Sequence, residues 1–574
     1  MSTTARKATL TSTPKLTMAS VPKRSPSSGA DLLVKSLEAQ GVEYIFGIPG
    51  AKVDKVFDTL VDSKIQTIVC RHEQNAAFMA SGIGRMTGKA GVALVTSGPG
   101  CSNLVTGFAT ATSEGDPVVG IGGAVPVADR LKQLHQSMDT VNLFRPITKF
   151  SVEIDSASSV SEVVANAFRA AESGRPGAAF ISVPKDVMMG AATSEVLTPT
   201  APASMGPADG AAIAAAADLI NKAQNPVLML GLLASEKNAA DAVRGLIAKT
   251  KMPVVCTYQG AGVVPREHFH RFGGRVGLFR TQPADRILDA ADLVVTIGYD
   301  PIEFEPGLWN RGKKRNLIHI DVLAADIDNH YRPQVELVGN IAATVRAMTD
   351  HVNASDPTGS ADLLREVATE RTNFAEKAAA LNGTPIHPIR LIHELQSLLS
   401  DDMTLCLDMG SFHIWLARYL YSFRARQILM TNGQQTLGVG LPWAIAASLV
   451  RPSEKVISVS GDGGFLFSAT ELETAVRLRS NIVHLVWIDG FYDMVGIQEK
   501  AKYGRISGVT LGPVDVVRFA EAFGAHGLRI ERPEEISSTL KKALAMEGPV
   551  IVGVPVDYRD NHRLMEDVHP EALN

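Results

Sequence analysis

The residues with the most chemical content are the run Ser460-Gly461-Asp462-Gly463-Gly464-Phe465 and a second acid, Asp489, which closes the apolar run from Ile482 to Ile488. Another apolar run, Val456 to Val459, leads into the first acid. Two carboxylates carried at strand ends, beside glycines that let backbone approach an oxygen-rich ligand, suit a hard cation bound together with a diphosphate. A Gly-Asp-Gly triplet alone is also an ordinary turn, because both residue types favour turn geometry. Placement weighs against that reading, since strand ends of α/β sheets are where ligands bind. The pair therefore points to an enzyme with a diphosphate cofactor and a metal held by Asp462 and Asp489.

Such acids need a parallel sheet to carry them, and 574 residues exceed one hydrophobic core. About three domains of roughly 100 to 200 residues each are expected. Short apolar runs at Tyr44 to Ile48, Ile65 to Cys70, Val92 to Thr96 and Val118 to Ile121 alternate with helical segments such as Asp31 to Gln40. The pattern repeats at Val227 to Leu230, Val254 to Thr257, Leu293 to Ile297 and Leu317 to Ile320, and again up to Val550 to Val554. Buried strands separated by helices indicate α/β domains with doubly wound parallel sheets. The reading is three of them, over 30–189, 205–350 and 385–560, with a Thr/Pro/Ala/Ser-rich linker from Gly190 to Gly210, a helical connector from Ala361 to Leu381 and a helix from Ser468 to Arg479 after the first acid. No Gly-x-Gly-x-x-Gly fingerprint occurs, and the run Gly82 to Lys89 misses the Walker spacing, which disfavours a nicotinamide dehydrogenase or a P-loop nucleotidase.

A formal net charge of -4 offers no basic field for nucleic acid. Cys70, Cys101, Cys256 and Cys406 are scattered without metal-ligand spacing and read as reduced thiols. Apolar stretches such as Leu437 to Val450 fall short of the about 20 residues that span a bilayer, so no membrane contact is expected. Residues 1–29 are basic and Ser/Thr-rich, which predicts a disordered tail. That composition also fits an organelle transit peptide, but its prolines and weak amphipathicity favour a cytoplasmic protein.

With its spacer, the Gly-Asp-Gly run resembles the signature of the thiamine-diphosphate-dependent decarboxylases and synthases. The resemblance implies Mg²⁺ held by Asp462, Asp489, the carbonyl of Phe491 and the diphosphate of thiamine diphosphate. Relatives often carry Asn-Asn where this chain has Asp489-Gly490, so the site holds one more negative charge. Glu73, in Val69-Cys70-Arg71-His72-Glu73, stands where a strand turns into a helix. As a first-turn acid it would add only about 0.3 to 1 kcal/mol through the helix dipole. In the family the matching acid hydrogen-bonds N1′ of the aminopyrimidine and so activates the thiazolium carbon. Leu437, otherwise a core leucine beside a glycine-rich bend, matches the wedge that bends the cofactor. Gly410, Ser411, Gln435, Gly463, Gly464, Tyr492, Asp493 and Met494 carry over as further cofactor contacts.

The runs Phe46 to Lys52, Thr96 to Asn103, His135-Gln136-Ser137-Met138-Asp139, Asp408 to Trp415 and Pro555 to Tyr558 narrow the resemblance to the catabolic acetolactate synthases. It covers Ala30 to Asp560 and implies decarboxylation of one pyruvate and its joining to a second, giving 2-acetolactate and CO₂. Gln136 is an uncharged donor for the pyruvate oxygen or the developing alkoxide. Lys52 and His135 are weaker candidates, and His135 could equally be structural. Gln498, otherwise an exposed polar residue, stands where the biosynthetic acetohydroxyacid synthases have a Trp that favours 2-ketobutyrate. Those enzymes hold FAD in the central domain beside an Arg-Phe-Asp-Asp-Arg segment. Here Tyr299-Asp300-Pro301-Ile302-Glu303-Phe304 lacks both arginines, so FAD is not expected. A homodimer or homotetramer is implied, with Glu73 of one subunit facing Asp462 of another. A biosynthetic synthase, a pyruvate oxidase and an inactive cofactor-binding regulatory homologue remain the alternatives.

Overall fold

The structure, a computed structural model, describes residues 27–200, 205–277 and 282–566. Three six-stranded sheets follow one another, and every strand pair in them is parallel. The first contains β1 (Tyr44–Gly47), β2 (Gln66–Val69), β3 (Gly91–Val95), β4 (Val118–Ala124), β5 (Phe150–Glu153) and β6 (Ala178–Pro184), in the order β2-β1-β3-β4-β6-β5. The second contains β7 (Pro226–Leu230), β8 (Val254–Cys256), β9 (Phe272–Arg275), β10 (Leu293–Ile297), β11 (Asn316–Asp321) and β12 (Val335–Val338), in the order β12-β11-β10-β7-β8-β9. The third contains β13 (Thr404–Leu407), β14 (Ile428–Leu429), β15 (Val456–Gly461), β16 (Ile482–Ile488), β17 (His526–Arg529) and β18 (Val550–Pro555), ordered β14-β13-β15-β16-β18-β17. The outer two sheets thus share one topology and the middle one differs.

Helices cover both faces, so the inner strands are buried throughout and read as unbroken apolar runs. The edge strands β5 and β17 are half exposed and carry no such run, which is why composition alone does not reveal them. The tail expected over 1–29 lies outside the described residues through residue 26. Ser28 and Gly29, assigned to it, instead begin the first helix, Gly29–Ala39. There the Ser28 hydroxyl accepts the Asp31 N–H at 3.2 Å, and the Asp31 carboxylate accepts the Ser28 N–H at 2.8 Å. Together they satisfy two donors that a helix start leaves open.

The first and third domains meet along two helices, Glu73–Thr87 and Gly440–Val450. Across that contact the Trp443 indole donates to the Ser81 hydroxyl at 2.9 Å. A buried polar knot then joins all three domains. Glu114 accepts the backbone N–H groups of Asn432 (2.9 Å) and Gly433 (2.8 Å), the Gln259 amide and Arg85, while Arg85 also pairs with Asp116. Burial raises the Asp116 carboxyl to about 6 even against the Arg85 charge.

Inside the third sheet, His484 on β16 lies between the hydroxyls of Ser458 and Ser460, each at 2.7 Å. Burial depresses it to about 3. A histidine whose folded pKa lies below its unfolded value near 6.5 contributes stability above pH 6.5 that is lost as pH falls towards 3. We expect the stability difference between wild type and His484→Gln to shrink by up to about 1.4 kcal/mol per pH unit below pH 6.5. Urea unfolding at a series of pH values checks this, and a pH-independent difference refutes it.

Candidate active site

Doubly wound sheets open a crevice where the strand order reverses, at the carboxyl ends of the two diverging strands. In the third domain the reversal lies between β13 and β15. The loop after β13 delivers Asp408, Met409, Gly410 and Ser411, and the end of β15 delivers Asp462, Gly463 and Gly464. The Gly-Asp-Gly run is the first turn of a helix, Asp462–Ser468, rather than a loop before the helix expected from Ser468. Asp462 suits that place, because a carboxylate in the first turn meets the positive end of the helix dipole.

The acids gather here. Asp462 accepts the N–H of Gly463 at 2.9 Å and that of Gly490, beyond β16, at 2.8 Å. Asp489 follows β16, and Asp493 opens the next helix, where it accepts the Ser411 hydroxyl and the Asn561 amide at 2.5 Å. Burial pushes the Asp489 carboxyl up to about 8, with the charges of Asp462 and Asp493 adding to it. Burial likewise raises Asp462 and Asp493. The Tyr558 phenol lies near all three, and burial and their charge hold it well above its usual range. None of the three acids has an ion-pair partner among the described residues. Among the described residues no three such side chains stand close enough to hold a metal by themselves, so a hard cation here would draw on the Asp462 and Asp489 carboxylates together with backbone and ligand oxygens.

The expected carbonyl donor is also accessible. The segment around Phe491 pairs with Thr510 through Tyr492 N–H to Val509 O and Leu511 N–H to Gly490 O, each within 2.9 Å. The Phe491 carbonyl takes no hydrogen bond among the described residues. Gly463 faces the Tyr492 ring so closely that a Cβ would stand 2.6 Å from it. Any side chain there would have to move Tyr492 or Leu511. Met494 packs against the third domain's core.

The loop carrying Leu437 is held from below. Asp408, buried and raised by burial to about 7, accepts the Gly438 N–H at 2.8 Å and the Met409 N–H at 2.8 Å. Leu437 is half-buried, and its neighbour Thr436 meets Thr110 of the first domain, hydroxyl to hydroxyl, at 2.8 Å. Gln435 is exposed with φ 47°, and no hydrogen bond among the described residues ties it to the acids.

In the first domain the order reverses between β1 and β3. The loops after these strands bring together Lys52, Ser97 and Gly98, and Gln136 packs against Gly98. Gln136 has φ 61°, and the Ser97 hydroxyl donates to its side-chain oxygen at 3.1 Å, leaving the amide N–H groups for another acceptor. Glu73, buried, accepts the Asn103 amide at 2.9 Å. His135 is exposed, whereas Gln498 lies half-buried on the helix Asp493–Tyr503. That helix and Phe491 flank a cavity of about 700 Å³ that also touches Tyr558 and Asn561. The partners of Glu73 and of Asp462 do not overlap within the chain.

Sequence reasoning did not single out Asp408, Asn103, Asn561 or Glu471. Glu471, fully buried in the third domain, reaches across to the first and accepts the N–H groups of Arg71 (2.7 Å) and His72 (3.0 Å) and the Asn75 amide (3.2 Å). It thereby seats the turn that presents Glu73.

Residues 27–143 match the thiamine pyrophosphate enzyme N-terminal TPP binding domain, 213–348 the central domain and 408–554 the C-terminal TPP binding domain. The chain is 53% identical to the catabolic acetolactate synthase of Raoultella terrigena, over 95% of this chain and 98% of that one. It is 48% identical to the acetolactate synthase of Bacillus subtilis over 95% and 96% of the two chains. To the acetolactate synthase isozyme 2 large subunit of Escherichia coli it is 31% identical, over 93% and 96%.

Glu471→Ala strands four donors, of which the Asn75 amide and the Thr474 hydroxyl are buried and cost about 1–3 kcal/mol each when unsatisfied. Hydrogen–deuterium exchange of residues 71–75 should speed up at least tenfold, while strands of the central domain keep their protection. Unchanged exchange would show that Glu471 does not hold this turn.

Proposed function

The chain belongs to the thiamine pyrophosphate enzyme family, and from that premise we propose that it decarboxylates pyruvate and joins the two-carbon fragment to a second pyruvate, giving 2-acetolactate and CO₂. The observation that carries the reading is Asp489, whose carboxyl is raised by burial and by the charges of Asp462 and Asp493 at the crevice of the third domain, with no cation partner among the described residues. Asp462, Asp489 and the Phe491 carbonyl would hold Mg²⁺, and Gly410, Ser411, Gly463, Gly464 and Tyr492 would surround the diphosphate. Bound there, thiamine diphosphate supplies a nucleophilic carbon and an electron sink for decarboxylation.

The chain's own residues position and protonate. Glu73, fixed by Asn103, would hold a proton at N1′ of the aminopyrimidine when the cofactor is bound. Gln136, with its oxygen fixed by Ser97, donates its amide N–H to the pyruvate oxygen as negative charge develops. Leu437 would lie against the bound cofactor, on a loop that Asp408 stiffens from beneath. Gln498 leaves the acceptor pocket without a large apolar wall, which favours pyruvate as the second substrate.

The site is completed by a second copy of the chain. One feature supports this: the exposed apolar side chains Leu466, Phe467, Phe491 and Val495 around the Asp462 and Asp489 loops. No helix among the described residues is long and apolar enough to cross a membrane. Flavin takes no part in this reading, because no arginine stands in Tyr299–Phe304 to bind its diphosphate.

Purified protein with pyruvate, Mg²⁺ and thiamine diphosphate should form acetolactate equally well with and without FAD, and no product under any condition removes the proposal. Glu73→Gln should lower kcat by about 10²- to 10⁴-fold without changing the melting midpoint. Asp462→Ala should lose most Mg²⁺ affinity and Asp489→Asn should retain part of it, as read by Mg²⁺ titration of activity. Dissociating and mixing the inactive Glu73→Gln and Asp462→Ala proteins should restore activity, since one class of mixed site carries neither change. Gln498→Trp should shift acceptor preference towards 2-ketobutyrate by about 10- to 200-fold, measured as product ratio in competition.

A further inference from the structure

The central domain has its own reversal of strand order, between β7 and β10, in the arrangement 3-2-1-4-5-6 that forms dinucleotide-binding crevices. The ends of these strands lead into Gly231 and Gly298. Donors converge between them. The Leu232 N–H lies 3.1 Å from both oxygens of Glu303, the Asp300 N–H lies 3.2 Å from one of them, and the Thr257 hydroxyl, beyond β8, donates at 2.5 Å. Three donors, from the loops after three strands, thus surround one carboxylate that is 4% exposed.

The crevice is closed around it. Leu233 N–H bonds to the Gly298 carbonyl at 3.1 Å, and a Cβ on Gly231 would collide with that carbonyl and stand 2.8 Å from the Glu303 oxygen. The space left beside Glu303 is about 70 Å³, whereas ligand clefts run to roughly 300–1,000 Å³. At its mouth Asp300 is paired with Arg175 of the first domain. That space is far below the volume of a dinucleotide.

We propose that Glu303 is a built-in anion: its carboxylate occupies a phosphate-binding hole at the switch point of the central domain and keeps phosphate-bearing ligands out. Convergent N–H and hydroxyl donors at the end of doubly wound strands are the arrangement that binds phosphoryl oxygens, and here a side chain of the chain itself satisfies them. Burial raises the Glu303 carboxyl to about 7, opposed by Thr257, Leu232 and Arg175, so above that pH the hole holds a charge. Removing the side chain should expose the hole and make room for a phosphate. The inference rests on the central domain with Arg175 at its mouth and stands whether or not the acetolactate reading does.

The test titrates inorganic phosphate at pH 8 into protein saturated with thiamine diphosphate and Mg²⁺, so that the diphosphate site is filled, and reads the melting midpoint and ³¹P line width. Glu303→Ala should bind phosphate at least about tenfold more tightly than wild type, and Thr257→Val in that background should weaken it. Glu303→Gln, which keeps the hole filled, should gain no binding. Equal binding by wild type and Glu303→Ala, or binding indifferent to Thr257, overturns the proposal. If Glu303→Ala is not recovered folded, Glu303→Ser carries the same titration. Failure of both to fold even in phosphate also overturns it, because an anion in the hole should replace the missing carboxylate.

Discussion

Burial disfavours the ionised forms of Asp462, Asp489 and Asp493 around the ends of β15 and β16, like charge adds to it at Asp489, and much of the third domain is arranged around that constraint. Asp489 feels it most, its carboxyl raised to about 8. Like charges in a partly buried site disfavour one another's ionisation, and the protein relieves this only in part. Gly463 and Gly490 donate backbone N–H to Asp462, and Ser411 and Asn561 donate to Asp493. Each donor stabilises one acid without adding positive charge. The remaining imbalance of negative charge is one that a cation, not a further neutral donor, would relieve.

The second constraint is that the acid of the first domain must be held as firmly as those of the third. Glu73 opens a helix whose body packs on the helix Gly440–Val450, while its first turn is gripped by Glu471 from the third domain. A buried carboxylate spanning two domains is stable only if its lone pairs are used, and Glu471 uses them on Arg71, His72, Asn75 and Thr474. The Glu114 knot does the same at the opposite end of the interface, where it also recruits Gln259 of the central domain. The domains are therefore joined by directional polar contacts as well as by apolar packing, which fixes their register.

How much of this the sequence discloses depends on whether a role is local. Asp462 and Asp489 stand out because long buried parallel strands make unbroken apolar runs, and a lone acid at the end of one is conspicuous. Glu73 is visible for the same reason, at a strand-to-helix turn. Glu471 is not, because nothing within ten residues of it reveals that the first domain lies against it. Asp408 sits inside a run that the family resemblance highlights, yet its task of bracing the Leu437 loop depends on how that loop folds back. Half-exposed edge strands such as β17 lack the apolar run that would betray them. The Ser28 capping box was legible in principle, but the composition of the preceding residues masked it.

Glu303 shows a further limit. In the sequence it registers only as a departure, an acid in a segment where relatives have arginines, and the inference from it is negative: donors for a diphosphate are missing. The structure changes the sign of that statement, since donors are present and already satisfied. Three sheets of doubly wound type each offer a crevice, and their fates differ by what the adjoining loops supply. In the third domain glycines and acids leave it open to a metal and a diphosphate; in the first, Lys52, Ser97 and Gln136 face it with polar groups. In the central domain a carboxylate six residues after β10 folds back onto the N–H of Leu232, and the loops close over it. A carboxylate tethered by its own chain fills the hole without the entropy loss that an incoming ligand meets on association, so it competes well against free phosphate.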